Sequence, residues 1–418
     1  QQHPIAGLDQ CRELGRSECR NQVVANADDV SWGRGTPMRI AMIGTRGVPA
    51  AYGGFETAVE EIGRRLVERG HDVIVYTRTD DRRNAPREYL GMQLVPLPAV
   101  RSKAFETLTH TASSTAHAVA KCKPDMAFLF NAANAIYLPP LRARKIPVAT
   151  HVDGLEWQRT KWGKGGRKIY RMSESIAVRY SDALIADAQG IADYYTQEFG
   201  ATTDLIAYGA PILARCNVDL LDADLSFKKF HVLVARFEPE NHVAEGVLGY
   251  TRSDSVYPLL VVGGAPFAAE YTESIQAIAD SDPRVQMLGP VWDQDRLDAL
   301  YSGALTYIHG HSVGGTNPSL LRAMGAATAT IAYDVGFNRE VLGDDGRFFA
   351  DPAQLTTQLN RAEAESAEMI EIGKRLQRRA EQRYNWDEVA AKYEDLAARL
   401  AAGESQAGRF KGRRASSH

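Results

Sequence analysis

The chain has 418 residues, 44% hydrophobic and 24% charged, with a formal net charge of −3 at pH 7. At about 150 residues per domain this length gives two to three domains with full cores, and the composition excludes a disordered, collagen-like or coiled-coil chain. The near-neutral balance argues against nucleic-acid binding, and the longest uncharged apolar stretch, Met126 to Leu141, falls short of the roughly 20 residues of a membrane-spanning helix.

Residues 1–37 carry no sustained periodicity, mix both charge signs and end in the turn-like run SWGRGTP, so a loosely ordered extension is expected, with Met38 as an alternative start. No positive-then-apolar leader is present, and the scattered Cys11, Cys19, Cys122 and Cys216 offer neither a disulfide framework nor a close metal-ligand pair. The cytoplasm is the expected compartment.

From Met38 onward, short apolar runs alternate with amphipathic segments, the pattern of strand–helix units around a parallel sheet. Strand RIAMI (39–43) leads through a Gly-rich loop into a helix with Phe55, Val59, Ile62 and Leu66 on one face, which Gly70 stops before strand DVIVYT (72–77). DMAFLF, IPVAT and DALIA read as further buried strands. A second series runs through HVLVAR (231–236), PLLVVG (258–263), RVQML (284–288), ALTYIHG (304–310) and ATIAYD (329–334). The fold expected is α/β, with two parallel-sheet domains in tandem. Their bounds are 38–210 and 211–384, followed by a return helix over 385–402 that packs on the first domain and a frayed basic tail over 403–418. Within the last long helical stretch, Arg361 to Leu400, Asn385 and Trp386 mark a new helix start.

Several segments carry chemistry. GTRGVPAAYGGFET (44–57) joins a strand to a helix, where backbone amides and the helix dipole can meet an anionic or sugar ligand; the same glycines could instead only shape the turn. Its spacing is not the dinucleotide fingerprint, which disfavours a dehydrogenase. In HSVGGTNPSLLRAMG (311–325), Asn317 suits an N-cap, Pro318 the first helical position, and Gly314 with Gly315 a close backbone approach to a phosphate. Arg236 ends a strand, where it can fork onto a diphosphate or pair with Glu238 or Glu240. HVDGLEW (151–157) is expected to put His151 and Asp153 on the loop after strand IPVAT, either to orient sugar hydroxyls or as structural groups. His309 and His311 have no neighbouring Cys, Asp or Glu in sequence, so no metal site is inferred. The run 158–171 has six Lys or Arg, no acid, and Trp162 and Tyr170 among them; it suits anionic lipid headgroups or nucleic acid, or is a solvated helix face.

Five ordered segments, MRIAMIGTRGVPAAYGGFETAVEEIGRRLVERGHDV, HVDGLEW, ARFEPEN, HGHSVGGTNPSLLRAMG and YNWDEVAAKYEDL, resemble bacterial GT-B glycosyltransferases of family 4, in particular the rhamnosyltransferase-like branch. The resemblance runs from Met38 to about Leu400. It implies two Rossmann-like domains facing across a cleft, with a nucleotide-sugar donor mainly on the second and the acceptor mainly on the first. By the same resemblance, Arg236 faces the donor diphosphate; Gly314, Gly315, Thr316, Asn317, Pro318 and Ser319 lie near diphosphate and sugar, with His311 beside them. Gly289 and Val291 belong to the stretch that holds the base, and Glu340 sits near the sugar. Gly53, Gly54 and Glu56 line the acceptor side, with His151 and Asp153 in catalytic positions beside Arg236.

The pattern departs from the family where Gly314 and Arg322 stand at the places of its usual Glu pair, and where Asn241 replaces a common lysine. The reaction implied is retaining, metal-independent hexosyl transfer, rhamnosyl from dTDP-rhamnose, with no resident cofactor. The acceptor is a saccharide or an undecaprenyl-diphosphate-linked saccharide for a cell-surface polysaccharide, with peripheral contact on an anionic inner membrane face. The alternatives are a nucleotide-sugar epimerase, which would need acid–base pairs on both faces of the sugar carbon, and a catalytically inactive sugar-nucleotide or lipid-binding subunit.

Overall fold

The computed structural model describes residues 36–50, 53–79, 81–100, 106–152, 155–158, 163–214, 217–222, 225–264 and 269–410. Met38–His418 forms one compact unit. Residues 1–35 of the expected extension, Asp153, Trp162 and 411–418 lie outside the described residues.

Two sheets organise Met38–His418. The first has the order β3-β4-β2-β1-β5-β6-β7-β8, built from β1 (Arg39–Ile43), β2 (Asp72–Arg78), β3 (Glu88–Tyr89), β4 (Met92–Leu97), β5 (Met126–Phe130), β6 (Val148–Val152), β7 (Ala183–Ala186) and β8 (Asp204–Leu205). Every pairing is parallel except β3 with β4. The second has the order β11-β10-β9-β12-β13-β14 and is parallel throughout. Its strands are β9 (His231–Arg236), β10 (Leu259–Gly264), β11 (Val285–Gly289), β12 (Thr306–His309), β13 (Ala329–Tyr333) and β14 (Arg347–Phe349). The α/β fold expected from the alternating pattern is therefore present twice.

Runs such as Met126–Phe130 are apolar at every position because helices cover both faces of a parallel sheet, and all five of those residues are buried. In each sheet the chain reverses direction next to its first strand, between β1 and β5 and between β9 and β12. Crevices outside the carboxyl ends of strands at such switch points are where open α/β sheets take ligands. The loops after β1, β9 and β12 are accordingly the GTRG segment, the Arg236 loop and the Gly-Gly-Thr-Asn turn.

The expected strand over 146–150 is displaced. β6 starts at Val148 and runs through His151 and Val152, paired by register to Phe130, Ile185 and Ala186. The expected placement of His151 on a loop is thereby corrected: backbone pairing on both sides carries the strand two residues further than the apolar run suggests.

The C-terminal helical stretch resolves into helices Pro352–Ala364, Ser366–Arg383 and Trp386–Ala401. Asn385 caps the last, its Oδ1 accepting from Asp387 N at 2.7 Å and Glu388 N at 3.4 Å. That helix lies against the first sheet's layer. Asp387 pairs with Arg65 at 2.6 Å, Glu394 with Arg69 at 2.7 Å, and Tyr393 meets Phe128 edge-on with centroids 4.8 Å apart. Gly209 sits so close to the Trp386 ring that a side chain there would collide with it. Residues 403–410, expected as the start of a frayed tail, are instead tied down. Gln406 N donates to Asp182 O and Gly408 N to Arg179 O, each at 2.9 Å, and Phe410 packs on the first domain's core.

Candidate active site at the junction of the two sheets

The loops beyond the strand ends meet. Gly54, the first residue of helix Gly54–Glu68, lies against Pro318, with 3.2 Å from its would-be Cβ to Pro318 Cγ. Thr316 Oγ1 donates to the carbonyl of Asp187 at 2.5 Å, and Gly315 abuts Asp187 Oδ1 with no room for a Cβ. Both carboxylate oxygens of Glu340 face Gln189 N, at 3.1 and 3.2 Å, at the start of helix Gln189–Phe199. Four residues proposed from sequence, Gly54, Gly315, Thr316 and Pro318, are brought together here, and Glu340 joins them from helix Gly336–Leu342.

The turn itself is built as its sequence suggests. Gly314 has φ +135° and open space around it, a conformation costly for any side chain. Asn317 Oδ1 accepts from Ser319 N at 2.9 Å and starts helix Pro318–Gly325, with Pro318 in the first turn. The turn can therefore present helix-start N–H groups to an anion. His311 stacks on His309, with centroids 4.5 Å apart, and Asn338 Nδ2 donates to the His311 carbonyl at 3.0 Å. Burial drives the His309 pKa down to about 3, and Tyr307 OH lies 2.9 Å from its Nδ1.

Arg236 ends β9 with its side chain half exposed and Nη1 3.4 Å from Glu238 Oε1, so the surface pair read as an alternative is present. Asn241, at the family's lysine position, is buried; its Nδ2 donates to the Arg236 carbonyl at 2.8 Å and holds the loop rather than adding charge. Arg322 is paired with Asp298 of helix Gln294–Gly303. Burial raises the Asp298 pKa, an effect Arg322 opposes. Gly289 has φ +67° and open surroundings at the end of β11, and Val291 packs at the margin of the core.

On the first domain's side, Glu56 Oε1 accepts from Arg46 N at 3.1 Å and its other oxygen crowds Gly53, so Glu56 shapes the loop. His151 is 1% exposed, stacked with Tyr208 at 5.7 Å and met edge-on by Phe55 at 5.1 Å. Burial lowers its pKa to about 3, and neither ring nitrogen has a hydrogen-bond partner among the described residues. A neutral imidazole carries one N–H donor, and leaving it unmade costs about 1–3 kcal/mol. Asp153 lies outside the described residues.

Sequence reasoning missed Asp187, Gln189 and the aromatic cage of Phe55, Phe130 and Tyr208 around His151. An acid just before a helix reads as an N-cap; here Ala188 holds that place and Asp187 turns to the other sheet. Among the described residues no group of three metal-ligating side chains occurs, and no helix is long and apolar enough to cross a membrane. Residues 164–171 of the basic run lie in helix Lys164–Tyr180, where Ile169 and Met172 are 56% and 53% exposed beside exposed Lys164, Arg167 and Lys168. Residues 159–162 of that run lie outside the described residues.

Two largely parallel sheets whose switch-point loops meet, one carrying a glycine turn at a helix start, define a two-domain α/β architecture with a candidate ligand site at the junction. Residues 53–209 match the glycosyl transferase 4-like domain and residues 228–364 the glycosyl transferases group 1 family, and the chain is a GT-B glycosyltransferase. No curated protein matches it in sequence. Among solved structures, sucrose-phosphate synthase from Thermosynechococcus elongatus is similar with a TM-score of 0.74 at 22% identity, covering 87% of this chain and 99% of that one. Anabaena HepE in complex with UDP and glucose is similar with a TM-score of 0.65 at 16% identity, covering 87% and 100%. The α,α-trehalose 6-phosphate synthase of Burkholderia multivorans gives 0.65 at 12% identity, covering 88% and 100%.

Proposed function

We propose that this glycosyltransferase moves a hexosyl group, rhamnosyl from dTDP-rhamnose, to a saccharide or undecaprenyl-diphosphate-linked saccharide in cell-surface polysaccharide synthesis, retaining anomeric configuration without metal. The observation that carries the donor side is the Gly314–Ser319 turn at a helix start, beside a switch point that Arg236 flanks. Charge building on a leaving diphosphate would be met there by preorganised donors, which is electrostatic catalysis. The similarity to HepE, solved with UDP and glucose, supports a nucleotide-sugar donor. His151, neutral across the physiological range and short of a partner, supports a role as a hydrogen-bonding group toward sugar rather than as a cation.

The test is thermal stabilisation by a panel of nucleoside diphosphates and their sugars, since a ligand at 100 times its Kd adds about 2.7 kcal/mol to the folded state. A selective shift with thymidine diphosphate or its rhamnose conjugate is expected. A shift with uridine diphosphate alone would move the donor, and none with any nucleotide would favour an inactive assembly subunit, for which Gly314 and the Asp298-bound Arg322 are the motivating features.

For the acceptor, exposed Ile169 and Met172 among cations suit a peripheral contact with anionic lipid. Neutralising Lys164, Arg167 and Lys168 together is expected to abolish sedimentation with phosphatidylglycerol vesicles; unchanged sedimentation removes this part.

A further inference from the structure

The inference rests on the donor-site reading above and concerns a residue that reading does not use. Asp187 follows β7 in the first sheet, is 4% exposed, and its Oδ1 has no hydrogen-bond partner among the described residues. It faces a segment 129 residues away in sequence: its carbonyl takes the Thr316 hydroxyl at 2.5 Å and its carboxyl fills the space over the Gly315 Cα. Ile191 Cδ1 closes the same space, 2.8 Å from where a Gly315 Cβ would stand. The next contact is Gln189 N with Glu340. One short stretch of the first half, Asp187 to Ile191, thus grips the second half on both sides of the turn.

We propose that Asp187 is a positioning residue of the donor site, fixing the Gly314–Ser319 turn from the opposite domain so that the helix start at Pro318 points where the donor's diphosphate binds. Across the junction the turn is met at Pro318 by Gly54 and at Gly315 and Thr316 by Asp187. Gly314 has open space on its outer side, and among the hydrogen bonds the structure gives, Thr316 Oγ1 makes the one that ties the Gly-Gly-Thr segment to the first half. Gly315 is required by the same contact, since any side chain would push the carboxyl away.

The carboxyl is also poised to report on its surroundings. Burial and, secondarily, Glu340 of helix Gly336–Leu342 raise the Asp187 pKa to about 7, and among the described residues Tyr393 of the last helix also faces it. The protonated acid sits comfortably beside Glu340. Its anion would be buried and repelled, so the grip loosens as pH rises through about 7.

The test uses the full chain, with hydrogen exchange of the 311–321 amides and calorimetric Kd for thymidine and uridine diphosphates from pH 5.5 to 8.5. Asp187→Ala keeps the carbonyl that takes the Thr316 hydroxyl and removes the carboxyl packed over Gly315, and it is expected to raise both the exchange rate and the Kd about tenfold. Asp187→Asn, isosteric with the protonated acid, should match the parent at pH 6 and remove its loss of affinity above pH 7. Gly315→Ala should weaken binding about tenfold in the parent and less in an Asp187→Gly background, because the nearest obstacle is then gone and the end of the Ile191 side chain is the one left to shift. Unchanged exchange in Asp187→Ala, or an equal Gly315→Ala effect with and without the carboxyl, would overturn the proposal. If the parent binds neither nucleotide while Asp187→Ala still speeds exchange, the donor reading fails and the positioning contact stands.

Discussion

Two carboxylates of the same chain, one partly buried and one buried, have opposite surroundings. Glu363, on helix Pro352–Ala364, takes hydrogen bonds from His231 Nε2 at 3.1 Å, Tyr257 N at 3.1 Å, Val256 N at 3.0 Å and the Ser255 hydroxyl. Burial alone would raise its pKa, yet these donors draw it down to about 2. Asp187 has burial without donors to its Oδ1, and its pKa goes up to about 7. The difference separates two uses of a buried acid. Glu363 is an anion that ties a loop to a helix within one domain, and its worth is stability. Asp187, at the meeting of two domains, is protonated below neutral pH and loses its proton near 7, and its anion is held at a cost to stability, as groups at functional junctions often are.

The sharpest break of the comparison is to remove the satisfied acid. Glu363→Ala strands buried His231 and the loop amides, so a loss of roughly 2–4 kcal/mol is expected in urea unfolding, with nucleotide affinity kept at low temperature. A loss below about 0.5 kcal/mol would mean the hydrogen-bond knot is idle.

A smaller effect, of opposite sign, tests the other acid. Between about 4 and 7 the folded chain binds a proton at Asp187 that the unfolded chain has released, so stability falls as pH rises through this window. Asp187→Asn removes that slope and should be the more stable protein at pH 8, by roughly 1–3 kcal/mol. Glu363 runs the other way: its contribution is present above about 4.5 and is lost as pH falls toward 2. If the parent and Asp187→Asn have parallel stability profiles from pH 4 to 8, the raised pKa is not real.

How much was legible in sequence follows the range of each interaction. β1 and β9 are legible to the residue, because a central parallel strand is apolar at consecutive positions and bounded by turn residues. The edge strands β3, β8 and β14 span two or three residues each, and β4 carries Pro96, so none has a pattern to read. The Asn317 and Asn385 caps were legible because a cap is local. His151 stands out in the sequence, but the apolar run ends before it, and the extension of β6 through it depends on pairing with β5 and β7. Asp187 was invisible: its meaning lies in Gly315, and glycine leaves no sign of what excludes a side chain.

The last helix has a consequence for how the molecule is made. β1 and β5 leave the ribosome early, but Tyr393, Glu394 and Asp387, which cover Phe128, Arg69 and Arg65, are translated after the entire second sheet. A nascent chain that has completed only the first domain therefore still shows the face meant for residues 386–401, and the domain synthesised first is the one finished last.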